Sequence, residues 1–177
     1  MANVVPIFKK GDREGPGNYR PVFLTCIACK LLEHIVLSHL SPIFEGFLCP
    51  EQHGFRRGLS CATLLVSTTN SLMASIDRGV SMHAAVLDFS KAFDRVSHGL
   101  LDDKLHNIDI DTLIIKCISK FLSNRYQMVV INGDSSSLLA VTSGVPQGSF
   151  PGPSLCLVYV NDIGCSLRHS SISLFCR

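Results

Sequence analysis

Charge is scarce in this chain, and neither sign dominates. Of its 177 residues only 17% are Asp, Glu, Lys or Arg, and 16 basic residues against 14 acidic ones leave a formal charge of +2. That balance is too small to mark a nucleic-acid binder by itself. Long hydrophobic runs are missing as well. Lys30 and Glu33 break the run from Phe23 to Leu40, and no stretch reaches the roughly 18 uninterrupted residues of a membrane helix, so no membrane partner is expected. There is no secretory leader pattern, because in "MANVVPIFKKGD" the basic residues follow a very short apolar run, the reverse of a signal peptide. The eight cysteines lack a framework spacing and mostly sit among apolar residues. They read as reduced thiols of an intracellular protein, with nucleus or cytoplasm left open. Internal repeats and low-complexity tracts are absent too.

What is present is apolar mass: 46% of residues are hydrophobic, enough for one globular domain with a core and the opposite of a disordered composition. The little charge there is gathers at the front, where Lys9, Lys10, Arg13, Arg20 and Lys30 face Asp12 and Glu14.

Local patterns predict an α+β fold. "VVPIF" is a short strand, and "KKGDREGPGNYRP" a Gly/Pro-rich basic loop. Helical spacing from Leu24 to Leu40 ends at "SP", giving a helix and then a loop from Pro42 to Arg57. A second helix covers Ser60 to Asp77. "HAAVLDF" reads as a buried strand, residues 101–124 as helical turns, and "YQMVVINGDSSSLLAVTSG" as two strands around an Asn-Gly turn. "GVPQGSFPGP" is a rigid loop, and "SLCLVYVNDI" an apolar helix with Pro153 at its first position.

Two constellations carry chemistry. Asp88 closes an apolar run, where a carboxylate either helps to hold a hard cation such as Mg²⁺ or caps the following turn. Local spacing leaves both open. Asp94, six positions on, is expected to pair with Lys91, Arg95 or a turn. The loop "SGVPQGS", residues 143–149, has glycines that allow close backbone approach to a ligand, and Gln147 offers both a donor and an acceptor. It lacks the lysine of a P-loop and the spacing of a dinucleotide fingerprint. A third pattern, Cys26, Cys29, His34 and His39, approaches the spacing of a zinc knuckle. It has no glycine and a helical period, and on one helix four such residues cannot converge on one ion. The two cysteines are expected to be helical core thiols.

In order and at this separation, "VVPIFKKGD", "NYRPVFLT", "EQHGFRRGLS", "AVLDFSKAFDRVSH" and "GVPQGSFPGPSLCLVYVNDI" resemble the reverse transcriptase domain of non-LTR (LINE-type) retrotransposons. The resemblance implies a right-hand polymerase, with fingers from residues 1–79 and an incomplete palm from 80–177. It also implies RNA template, DNA primer and dNTP as partners, and two Mg²⁺ ions about 4 Å apart that assist attack of the primer 3′-hydroxyl on the α-phosphate. Asp88 matches the family's first metal-binding carboxylate, and the backbone carbonyl of Phe89 matches a neighbouring ligand. Phe93 matches the aromatic beneath the sugar, and Gln147 and Gly148 the loop against the incoming nucleotide. Lys9, Lys10 and Arg20 match basic residues that meet triphosphate oxygens. Gln52, Phe55, Arg56 and Arg57 lie in the template-gripping segment.

The resemblance also implies partner carboxylates for Asp88 from a Tyr- or Phe-Ala-Asp-Asp box on a hairpin beside its strand. "SSISLF" resembles the run into that box, but Phe175 is followed by Cys176 and Arg177. Asp162 belongs to "NDI" and is no substitute. The expectation is therefore a piece truncated before the catalytic hairpin and thumb, with an internal start. It would be catalytically incomplete, or a noncatalytic nucleic-acid-binding remnant or decay product. Leu59 and Pro151 also depart from the family pattern, and Pro151 and Pro153 are expected to hold Phe150 and Gly152 extended.

Overall fold

The computed structural model describes residues 2–167 and 170–176. The elements in order are β1 (Ala2–Phe8), β2 (Tyr19–Leu24), α1 (Ile27–Phe47), α2 (Cys61–Asp77), α3 (His98–His106), α4 (Thr112–Leu122), β3 (Arg125–Ile131), β4 (Asp134–Ser135), β5 (Leu139–Val141) and α5 (Pro151–Val160), with short 3-10 turns at Pro16–Asn18, Phe93–Arg95 and Asn161–Gly164. The class is mixed: helices beside a small mixed sheet.

The sheet runs β2-β1-β3-β4, with β5 also on β3. β1 pairs antiparallel with β2 and parallel with β3. The basic loop was expected to extend through Pro21; instead Tyr19–Leu24 is an edge strand, with Pro21 opposite Pro6. Both prolines are tolerable because the β1–β3 ladder involves only Ala2, Asn3 and Val4, so neither must donate to a second neighbour. The Asn-Gly turn forms as read. Asn132 and Gly133 both have positive φ, 50° and 94°, the backbone of a type I′ hairpin, and Ile131 pairs with Asp134.

α1 does not stop at Pro42 but runs through it to Phe47. An interior proline costs about 3 kcal/mol. Just beside it Leu40 and Phe44 are buried, each contributing about 1.5–3 kcal/mol, so packing offsets the break. α1 is 21 residues long, and its length and hydropathy would suffice to cross a membrane; in this fold its C-terminal half is instead tied into the core. α2 begins with a reciprocal capping box, Ser60 accepting from the Thr63 N–H while the Thr63 hydroxyl accepts from the Ser60 N–H.

The main core joins Leu40 and Phe44 of α1, Leu101 and Leu105 of α3, Ile115, Ile118 and Leu122 of α4, and Leu155 and Val158 of α5, with Val96 and Val145 between them. A smaller cluster, Ala2, Val4 and Phe23, seals one face of the sheet.

Two further expectations are corrected. Residues 83–89 form no strand and are exposed throughout, Val86 at 96% and Leu87 at 80%. An apolar run becomes a strand only when a ladder partner satisfies its backbone, and no described strand lies beside it. α5 starts at Pro151, not Pro153. Phe150 is helical, with φ −66° and ψ −45°, and Gly152 lies inside the helix, so neither is extended. The buried Glu33 accepts from the Phe150 N–H at 3.1 Å. That carboxylate sits where the helix dipole favours negative charge, which steadies this helix start.

Candidate nucleotide and nucleic-acid site

The 143–149 loop is fastened to the segment that follows Asp88. The Gly144 N–H donates to the Val96 carbonyl and the Val145 N–H to the Phe93 carbonyl, both at 2.8 Å. The Ser143 hydroxyl donates to the Asp94 carbonyl at 3.0 Å, and His98 Nε2 lies 2.8 Å from the Gly144 carbonyl. Gly144 is required here: its φ is +86°, and a Cβ would lie 2.8 Å from Asp94 Cα. The loop then crosses to the front block, where the Gln147 carbonyl accepts from the Phe23 N–H at 3.1 Å. Gly148, φ +98°, packs over the Phe23 carbonyl. The Gln147 side-chain amide donates to Asp94 Oδ1 at 3.2 Å. The Asp94 side chain therefore pairs with Gln147 and not with the side chains of Lys91 or Arg95, while its N–H closes a turn onto the Lys91 carbonyl at 3.1 Å.

Beside this junction lies a cavity of about 280 Å³ lined by Pro21, Phe23, Asp94, Arg125, Gln127 and the 140–146 strand and loop. Sequence reading missed Arg125. Its guanidinium lies 5.7 Å from the Phe23 ring centroid and 5.5 Å from that of Phe121, a cation–π arrangement. Burial pulls its pKa down, and the Glu33 carboxylate pulls it the other way. The one available signal was a lone cation opening an otherwise uncharged strand.

The front cations are free to act. Lys9 and Lys10 follow β1 at the tip of the β1–β2 hairpin, Arg20 sits opposite Ile7 on β2, and all three are exposed. None of their side chains has a partner among the described residues.

The 51–57 segment is divided in its roles. Gln52 is buried, its side-chain carbonyl accepting from the Gly54 N–H at 2.8 Å and the Cys176 N–H at 3.4 Å. The Arg56 side chain is 13% exposed and bound internally: Nη2 meets Glu45 Oε2 at 2.8 Å, and Nη1 donates to the Cys49 carbonyl at 2.8 Å. Arg57 points to solvent. Phe55, at φ 52°, meets Phe93 edge-to-face with centroids 6.0 Å apart, so the segment expected to grip template touches the aromatic expected beneath the sugar.

Asp88 is exposed. Among the described residues no group of three or more His, Cys, Asp or Glu could hold a metal ion. Asp162 is held by Lys104 at 2.5 Å, which lowers its pKa. The residues present therefore do not fit a two-Mg²⁺ centre. Within "SSISLF", Leu174 bridges to Gln52 in parallel, the His53 N–H donating to its carbonyl at 2.9 Å. Arg177, beside the expected box, lies outside the described residues.

The zinc pattern does not assemble. Cys26 caps α1, accepting from the Cys29 N–H, while His34 stacks edge-to-face on Phe150 and His39 Nδ1 lies against the Ile35 carbonyl. Contrary to expectation, Cys26 and Cys29 are exposed rather than core.

Comparison with known proteins agrees with this arrangement of blocks. A family model described as reverse transcriptase (RNA-dependent DNA polymerase) matches residues 7–176. A probable RNA-directed DNA polymerase from transposon BS of Drosophila melanogaster is 32% identical over 168 residues, covering 93% of this chain and 18% of the relative. A probable RNA-directed DNA polymerase from transposon X-element of the same fly is 30% identical, covering 87% of this chain and 17% of the relative. The RNA-directed DNA polymerase from its mobile element jockey is 29% identical, covering 92% of this chain and 18% of the relative. The chain thus spans under a fifth of the length of these relatives.

Proposed function

The chain belongs to the reverse transcriptase (RNA-dependent DNA polymerase) family and corresponds to a segment of the RNA-directed DNA polymerases of non-LTR retrotransposons, and from that membership we propose that it supplies the nucleotide- and template-contacting part of such an enzyme. The observation that carries this reading is the junction at Gln147, where the loop, the segment after Asp88 and the basic front strand meet. Residues 1–79 act as fingers and 80–177 as part of a palm, joined through the β1–β3 ladder. Lys9, Lys10 and Arg20 hold triphosphate oxygens, Gln147 and Gly148 back the nucleotide, and Phe93, braced by Phe55, lies under its sugar. Arg57 meets template phosphates without reading sequence. Arg56 shapes the turn that presents Arg57. RNA template, DNA primer and dNTP are the partners.

A second reading, noncatalytic binding of nucleic acid, rests on the isolated Asp88. The family generally works with Mg²⁺, but one carboxylate cannot organise two ions, so this chain grips a duplex without extending it. Primer extension with Mg²⁺ on an RNA template, run beside fluorescence anisotropy of an RNA–DNA duplex, tests both readings. Salt-sensitive binding without extension is the expected result. Extension by the chain as it stands would overturn the incomplete-centre reading, and no binding at low salt would overturn the grip.

A further inference from the structure

The Cys26–Cys29 pair has a geometry that the polymerase reading does not use. Cys26 stands outside α1 as its N-cap, extended at φ −67° and ψ 155°, and Cys29 follows one turn later. The two Sγ atoms lie 3.1 Å apart, and the Cys29 N–H donates to Cys26 Sγ at 3.4 Å. Both residues are exposed. Closing to a disulfide length of about 2.05 Å needs a sulfur movement of about 1 Å. We propose that Cys26 and Cys29 form a thiol–disulfide exchange site that reacts with low-molecular-weight disulfides and closes to an intramolecular disulfide at the start of α1.

The roles are unequal. The contact with the Cys29 thiol and the bond from the Cys29 backbone N–H lower the Cys26 pKa, while the pairing with Cys26 raises that of Cys29. A helix N-terminus favours a thiolate further. Cys26 is the attacking sulfur. Its thiolate, having given its proton to solvent, attacks one sulfur of the external disulfide, whose S–S bond breaks and releases one thiolate. Cys29 then loses its proton to solvent and attacks Cys26 Sγ, breaking the mixed disulfide and releasing the second thiolate. The protein dithiol loses two electrons and two protons, and the external disulfide is reduced to two thiols. Cys156 and Cys176 offer a contrast. Their Sγ atoms are 4.0 Å apart, and the buried Cys156 thiol is pushed up by its bond to Cys176 and by burial, so little thiolate is available there.

The test uses the full chain and glutathione disulfide, read by peptide mass spectrometry. Trypsin leaves Cys26 and Cys29 together on the peptide Glu14–Lys30, which contains no other cysteine. Cys26 should react about tenfold faster than Cys61 or Cys117, and the peptide should then lose two hydrogens without retaining glutathione. Cys29→Ser should stop at a stable mixed disulfide on Cys26, whereas Cys26→Ser should leave Cys29 slow. In guanidinium chloride the rate advantage should vanish. The proposal is overturned if Cys26 reacts no faster than Cys61 and Cys117 in the folded chain, if Cys29 is captured first, or if the advantage survives in denaturant.

Discussion

The Gln147 side-chain amide donates to Asp94 Oδ1 across 3.2 Å, joining two residues 53 positions apart in the chain. Among the described residues neither group has another side-chain partner, so a double-mutant cycle of Gln147→Ala and Asp94→Ala should show them acting together. Each single change should cost about 1 kcal/mol. Urea denaturation should give a coupling of about 0.5–1.5 kcal/mol, and strictly additive losses would mean the pair does not interact in solution.

Gly144 and Gly99 form a matched pair for substitution by alanine. At Gly144 a Cβ meets the Asp94 backbone at 2.8 Å and φ is +86°, while at Gly99, inside α3, nothing lies within 4 Å. Gly144→Ala should lose about 1–3 kcal/mol, and Gly99→Ala should gain up to about 1 kcal/mol. Thermal melts of the two variants should move in opposite directions.

Adjacent arginines should separate cleanly. Arg57→Ala should weaken binding to all RNA–DNA duplexes alike and flatten the log–log salt slope by about 0.9 if it meets one phosphate. Arg56→Ala should instead destabilise the fold by about 1–3 kcal/mol, since it strips partners from Glu45 and the Cys49 carbonyl. Equal binding losses from both, with unchanged melting, would refute the division of roles.

Lys104 and Asp162 set a small acid dependence. Lys104 lowers the Asp162 pKa, so the pair's contribution is fully present above the ordinary aspartate range and fades as pH falls through the lowered value. Asp162 is largely exposed, which limits the contribution to about 0.5 kcal/mol. Lys104→Met should therefore reduce the difference in stability between pH 6 and pH 3, measured by denaturant titration at both.

Elements whose stability is local were legible in the sequence. α2 was marked by its Ser60 start, and the β3–β4 turn by Asn132-Gly133, because caps and turns depend on a few neighbouring residues. Elements decided by distant partners were not. β2 looked like loop because nothing in "YRPVFL" announces β1 as its neighbour, and 83–89 looked like a strand although no described strand receives it. The order of motifs did not announce that Gln147 and Gly148 meet the front block. It could not show that Gln52 and Arg56 face inward, nor that Arg125 lies over Phe23. Those are facts of orientation, to which motif spacing is blind.

The parallel ladder between β1 and β3 has a consequence for how the chain acquires its shape. Ala2, Asn3 and Val4 bond to Gln127, Met128 and Val129, so β1 is completed only by a strand that lies far along the chain. During synthesis β1 and β2 can meet as a hairpin, but a two-stranded ribbon is marginal alone in water. It must wait until Arg125–Ile131 emerges. Contacts of such long sequence separation are slow to form, and the ribbon is open to other chains meanwhile. Refolding should accordingly show early helical signal from α2 and the α3–α4 pair, with burial around Phe23 arriving in a later, slower phase.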